Sequence, residues 1–145
     1  MDVKARTREI EWGDCDPAGI VYYPRYFAMF DGNTNWLFEQ AGFSKQVARA
    51  RFGVTGWPMV DTRARFLIPF TFGEQMEIRS RISEWGRSSF KVEHQVFKDG
   101  ALAMECWETR VWAMKHPSEP GRLQSAPIPA EVKESFEAGV MADKC

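Results

Sequence analysis

Residues 13–31 read GDCDPAGIVYYPRYFAMFD, and the fold turns on how this stretch changes character halfway along. In residues 13–19, two glycines, a proline and two aspartates crowd together, a composition that makes a tight loop. Pro24 then falls where the first turn of a helix tolerates proline, and Gly42 falls where a helix stops. Between them Phe27, Phe30, Asp31, Thr34, Leu37, Phe38 and Ala41 recur at three- to four-residue spacing, which predicts one stripe on a helix of about five turns. Every member of that stripe suits burial except Asp31.

Ahead of the loop, residues 7–12 (TREIEW) read as a short strand. From residue 59 the period changes to two. Thr62, Ala64, Phe66 and Ile68 alternate with Arg63, Arg65 and Leu67; Met76, Ile78 and Ile82 alternate with Glu77, Arg79 and Arg81. Phe90, Val92, His94 and Val96 alternate with Lys91, Glu93 and Gln95. Asp99-Gly100 supplies the positive-φ positions of a two-residue hairpin. Residues 101–115 are apolar on both faces for much of their length, as expected of a central strand under a helix. Prolines at 117, 120, 127 and 129 make the tail irregular, and a short helical pattern follows near 130–138. Strand, long helix, then about four antiparallel strands is an α+β two-layer order. The sheet edges and outer face left over make a homo-oligomer the expectation.

The bulk properties set bounds. The chain has 145 residues, 44% hydrophobic and 14% aromatic, so one domain with a packed core over residues 1–145 is expected. Nineteen basic against twenty acidic residues leave a net charge of −1, without the basic excess of a dedicated nucleic-acid binder. No run is long and apolar enough to cross a bilayer, and the N-terminus lacks a signal-peptide core. Cys15, Cys106 and Cys145 are too widely spaced for a disulfide framework, so a reducing, cytoplasmic setting without membrane association is expected.

The candidate chemistry clusters at the loop. Asp14, Cys15 and Asp16 precede a helix N-terminus, whose unpaired N–H groups and partial positive charge suit an oxyanion or a polarised carbonyl. Two readings stand for each aspartate: nucleophile or general base, or a turn residue capping backbone donors. A thiolate at Cys15 needs a histidine base, and only His94, on an apolar strand face, and His116, at the start of the proline-rich tail, exist. Neither histidine gives metal-ligand spacing with a cysteine, and no cofactor is implied. Asp31 has two readings, an ion pair with an arginine such as Arg63 or Arg65, or a polar contact at the bottom of a ligand pocket. The helical rise from Tyr23 to Asp31 is roughly 12 Å, and side chains lean toward the N-terminus, which leaves room for a small aromatic acyl group. Gly32 in mid-helix either admits a close approach or is simply tolerated at a cost of about 1 kcal/mol. Trp36, Trp57, Trp85, Trp107 and Trp112 are expected in the core.

The run at 13–31 resembles the 4-hydroxybenzoyl-CoA thioesterases and their acyl-CoA thioesterase relatives. The similarity extends from about residue 7 to residue 130, through GWPMVDTRARFLIPF (56–70), EWGRSSF (84–90), ETRVWAM (108–114) and GRL (121–123). It implies the hot-dog fold, a five-stranded antiparallel sheet wrapped around one long helix at 24–41, paired into dimers and tetramers with an acyl pocket at a subunit interface. By the same resemblance Asp16 matches the catalytic carboxylate, and Tyr23 the residue whose backbone N–H polarises the thioester carbonyl. Asp31 matches the carboxylate that receives a 4-hydroxyl, so an aromatic acyl-CoA is the implied substrate. For the CoA phosphates the chain departs from its relatives. The segment after Glu84-Trp85 reads Gly86-Arg87-Ser88-Ser89, leaving Arg87 and Ser88, and in the tail Arg122 is followed by Gln124 where another arginine is expected. A short-chain aliphatic thioesterase and a non-catalytic acyl binder are the alternatives. A hydratase of the same fold is disfavoured, since no histidine occurs before residue 94.

Overall fold

Strands β1 (Lys4–Glu9), β2 (Met59–Phe66), β3 (Gln75–Trp85), β4 (Ser89–Lys98) and β5 (Ala101–Val111) form one antiparallel sheet, in the order β1-β3-β4-β5-β2. The structure is a computed structural model and describes residues 2–143. Alternation sets the faces: Met76, Ile78, Ser80 and Ile82 of β3 and Phe90, Val92, His94 and Val96 of β4 are buried. The residues between them point outward and pair across strands, as Arg81 does with Glu93 at 2.5 Å. The β4–β5 hairpin turns at Asp99 and Gly100, with φ of 49° and 83°, the left-handed pair that a two-residue loop requires.

Helix α1 (Tyr23–Gln40) lies on the buried face, with Phe30 stacked on His94 at 5.1 Å. Its buried residues are Tyr26, Met29, Phe30, Asn33, Thr34, Leu37 and Phe38. At the helix start the core gathers Ile10, Val21, Tyr26, Phe30, Phe70 and Met104. At its end Phe38, Trp57, Trp112 and Val132 pack together, closed over by α2 (Lys45–Phe52) and α3 (Ala130–Asp143). Each large apolar side chain so buried contributes about 1.5–3 kcal/mol.

Several expectations need correction. The first strand runs over Lys4–Glu9 rather than 7–12, because Trp12–Asp14 closes into a 3-10 turn whose N–H groups bond backward. The helical stripe is rotated: Tyr26, Met29 and Asn33 take buried places, Phe27 and Asp31 sit at its margin, and Ala41 caps the helix from outside. In β2, Thr62 and Phe66 are exposed and Ala64 is half-buried rather than buried, because β2 is an edge strand. Residues 101–115 are not one apolar strand. The chain breaks at Trp112, and β6 (Ala113–Lys115) pairs with β7 (Leu123–Ser125) in a separate ribbon. The inward face of β5 carries Glu108 and Arg110, both buried. Trp57 and Trp112 are core residues, Trp36, Trp85 and Trp107 are half-buried, and Trp12 is exposed.

Candidate active site

The loop before α1 separates its two aspartates by role. Asp14 is buried; its carboxylate accepts from the Glu11 N–H at 2.9 Å and pairs with Arg8 at 3.3 Å. The Asp14 carbonyl accepts from the Tyr22 N–H at 2.8 Å, fastening the loop to the helix entrance. Asp14 is therefore the turn-stabilising residue. Asp16 follows a bridge between Cys15 and Val21; its N–H donates to Ile20 O at 3.0 Å and its carbonyl accepts from Gly19 N–H at 2.9 Å. Gly19 has φ of 84°, which only glycine adopts freely and which lets the chain double back so tightly. Asp16 Oδ1 accepts from the Ala18 N–H at 2.8 Å, and among the described residues no cation pairs with this half-buried carboxylate. One oxygen orients the group while the other is available.

The doubled-back loop delivers the chain to Tyr23, the first residue of α1. No side chain caps this helix. Pro24 has no N–H, and Arg25 N–H is spent on Tyr22 O at 2.8 Å, so the Tyr23 N–H is the open donor of the first turn. Beside it an apolar cleft of about 170 Å³ is lined by Ile20, Tyr23, Tyr26, Phe66, Leu67 and Met104, among others. The helix start thus puts Tyr23 on the rim of an apolar cleft, and the loop ties the Asp16 backbone to Ile20, which also lines it.

Asp31 lies two turns further along α1. Its side chain is 49% exposed, and Oδ1 pairs with Arg110 Nη2 at 2.9 Å. This corrects the expected partners: Arg63 stacks over Trp107 at 4.4 Å, and Arg65 pairs with Glu105 at 3.3 Å. Behind Arg110 stands a buried polar set that sequence reasoning missed. Glu108 accepts from Arg110 Nε at 2.9 Å and from the Thr34 hydroxyl at 2.6 Å, and lies 3.4 Å from His94 Nε2. His94 Nδ1 meets Ser80 Oγ at 2.6 Å; Asn33 donates to Ser80 and accepts from Arg6 Nε at 2.5 Å. Burial pushes the Glu108 carboxyl up, but the bonds from His94 and Arg110 outweigh it and hold the group at about 2. The available signal was register: period two places Cys106, Glu108 and Arg110 on one face, opposite His94.

Arg87 and Ser88 lie between β3 and β4; their carbonyls accept from Ile128 and Trp112 N–H, and the Arg87 side chain is exposed without an ion pair among the described residues. Arg122 is exposed and pairs with Glu119 at 2.6 Å. No contact joins Arg87 or Arg122 to Asp16, Tyr23 or Asp31 within the described chain. Among the described residues the polar contact of the Cys15 thiol is a long one, 3.8 Å to Glu11 O, and His94 is committed to Ser80, Thr34 and Glu108. His116 is half-buried, and its Nδ1 accepts from the Ser118 and Glu119 N–H groups. Burial pushes the Cys106 thiol up to about 12, too high for a nucleophile at neutral pH. Cys145 lies outside the described residues. Among the described residues no three metal-ligating side chains cluster, and no helix is long and apolar enough to cross a membrane. Gly32 admits no close backbone; a Cβ there would meet only Arg6 Nη2, at 3.8 Å.

Comparison with known proteins gives the family of the fold. Residues 10–136 match the thioesterase-like superfamily. The chain is 34% identical over 134 residues to a 4-hydroxybenzoyl-CoA thioesterase of Pseudomonas sp. (strain CBS-3), spanning 88% of this chain and 92% of that protein. The solved structure of 4-hydroxybenzoyl-CoA thioesterase from Pseudomonas sp. strain CBS-3 matches with a TM-score of 0.84 at 32% identity, covering 92% of this chain and 98% of that one. A solved gentisyl-coenzyme A thioesterase matches with a TM-score of 0.79 at 31% identity, covering 90% and 99%.

Proposed function

The chain belongs to the thioesterase-like superfamily with the hot-dog fold and is a thioesterase, and we propose that its substrates are aromatic acyl-CoA thioesters, 4-hydroxybenzoyl-CoA or a close relative. The observation that carries this reading is the open Tyr23 N–H at the rim of an apolar cleft, with the Asp16 carboxylate, one oxygen unengaged, in the loop just before it. In this reading the thioester carbonyl oxygen accepts from the Tyr23 N–H, which strengthens as negative charge develops; one such donor is typically worth about 3–4 kcal/mol in the transition state. Asp16 then acts in one of two ways. Its free oxygen attacks the carbonyl carbon, expelling CoA thiolate and leaving a mixed anhydride that water cleaves; or it takes a proton from the water that attacks. Asp31 receives the 4-hydroxyl at the far end of the acyl group. The exposed Arg87, with Ser88 beside it, and Arg122 contact the CoA phosphates.

A second copy of the chain completes the pocket in this account. Tyr22, Tyr23, Phe66, Leu67 and Val60 are large apolar side chains exposed around the cleft and along the β2 edge, a surface suited to a homo-oligomer. The test is thiol release from a panel of 4-hydroxybenzoyl-, benzoyl- and butyryl-CoA. Fastest release from the hydroxylated aromatic ester is expected. Preference for butyryl-CoA would replace the substrate class, and no release from any ester would leave an acyl-binding protein instead.

A further inference from the structure

Arg110 holds more contacts than a helix-to-sheet ion pair needs. Its Nε and Nη2 grip both oxygens of Glu108 at 2.9 and 3.2 Å, its Nη1 donates to Trp57 O at 3.2 Å, and Nη2 also reaches Asp31 Oδ1 at 2.9 Å. Four hydrogen bonds on a side chain 3% exposed leave the guanidinium no alternative position. Glu108 is equally fixed, 1% exposed and bonded to Thr34 on α1, three residues beyond Asp31. The β5 pair therefore clamps α1 at two successive points, Asp31 and Thr34. Burying two charges is costly, and apolar residues of similar size would pack this space at lower cost. What the charges add is direction. Arg110 takes Asp31 Oδ1, and among the described residues nothing else bonds that half-exposed carboxylate, so Oδ2 is presented in one orientation.

We infer that Arg110, held by Glu108, is a positioning residue for acyl specificity, aiming the free oxygen of Asp31 at a hydroxyl donor on the substrate ring. This rests on the reading that Asp31 receives the 4-hydroxyl. Lysine at 110 keeps the charge but cannot fork to Glu108 and reach Asp31 together. Without the clamp the Asp31 rotamer is loose, and discrimination falls while the reacting groups at Asp16 and Tyr23 are untouched.

The test is the ratio of kcat/KM for 4-hydroxybenzoyl-CoA over benzoyl-CoA in the full-length protein, Asp31→Ala, Arg110→Lys and the double variant. Arg110→Lys is expected to lower the ratio about tenfold, chiefly through KM for the hydroxylated ester, and to lower it no further in the Asp31→Ala background. A ratio that falls in Asp31→Ala but not in Arg110→Lys overturns the inference alone. A ratio unchanged in Asp31→Ala overturns the Asp31 reading beneath it. Should Arg110→Lys fail to fold, Glu108→Gln answers the same question, since glutamine keeps the shape and still accepts from Thr34 while the lost charge loosens Arg110. Its ratio is expected to fall several-fold, and an unchanged one counts against the clamp.

Discussion

Asp14 and Asp16 are one residue type two positions apart, and their hydrogen bonds engage both oxygens of the first and one oxygen of the second. Asp14 is buried with both oxygens engaged, so Asp14→Ala should cost about 1 kcal/mol through the lost bond to Glu11 N–H, read as a lower denaturation midpoint. Asp16→Asn keeps the acceptor for Ala18 N–H and should leave that midpoint unchanged. Glu108 carries a pH signature. Its pKa in the fold, about 2, lies below the ordinary 4.5, so its stabilisation is complete above 4.5 and is lost as pH falls toward 2. Thermal melts of the wild-type protein should therefore steepen in pH dependence across that window relative to Glu108→Gln. Parallel curves would show that Glu108 gains nothing from its partners.

At the scale of elements, the strongest periodicities were the legible ones. Alternation in β3 and β4 and the Asp99-Gly100 turn were readable because both obey local rules, and Pro24 and Gly42 bracketed α1 to within two residues. The helix stripe departs from the apolar count because counting apolar residues overlooks a polar one with a buried partner: Asn33 faces the sheet since Ser80 is there to receive it, beside Thr34, which lies on the expected stripe and meets His94 and Glu108. The partner of Asp31 was illegible for the same reason, as it sits on a strand 79 residues away whose inward register no local pattern fixes. Helix α2 was missed although Ser44 caps it and Gly53, at φ of 70°, ends it; its single buried residue, Ala48, gives almost no stripe. The motif at 13–31 needed no such long-range knowledge. Gly32 supplies a prediction here. Gly32→Ala adds a methyl that meets only an ordinary contact with Arg6, so it should stabilise the protein by about 1 kcal/mol in urea unfolding. A loss of stability would show that α1 needs the glycine.

For the whole molecule, a net charge of −1 coexists with a proposed anionic ligand because recognition is assigned to particular places: a helix start for the carbonyl, and Arg87 and Arg122 for phosphates. The apolar residues left exposed along β2 and around the cleft argue for a partner, and Leu67→Glu should shift the protein from oligomer to monomer in light scattering and reduce turnover with it. A monomeric wild-type protein with full activity would remove the second copy from the account. The most direct test of the central claim, that Asp16 performs the chemistry on an aromatic acyl-CoA, is CoA release from 4-hydroxybenzoyl-CoA by Asp16→Asn, measured together with ester binding. The account predicts turnover reduced by about two to four orders of magnitude with binding retained; near-normal turnover in Asp16→Asn would contradict it.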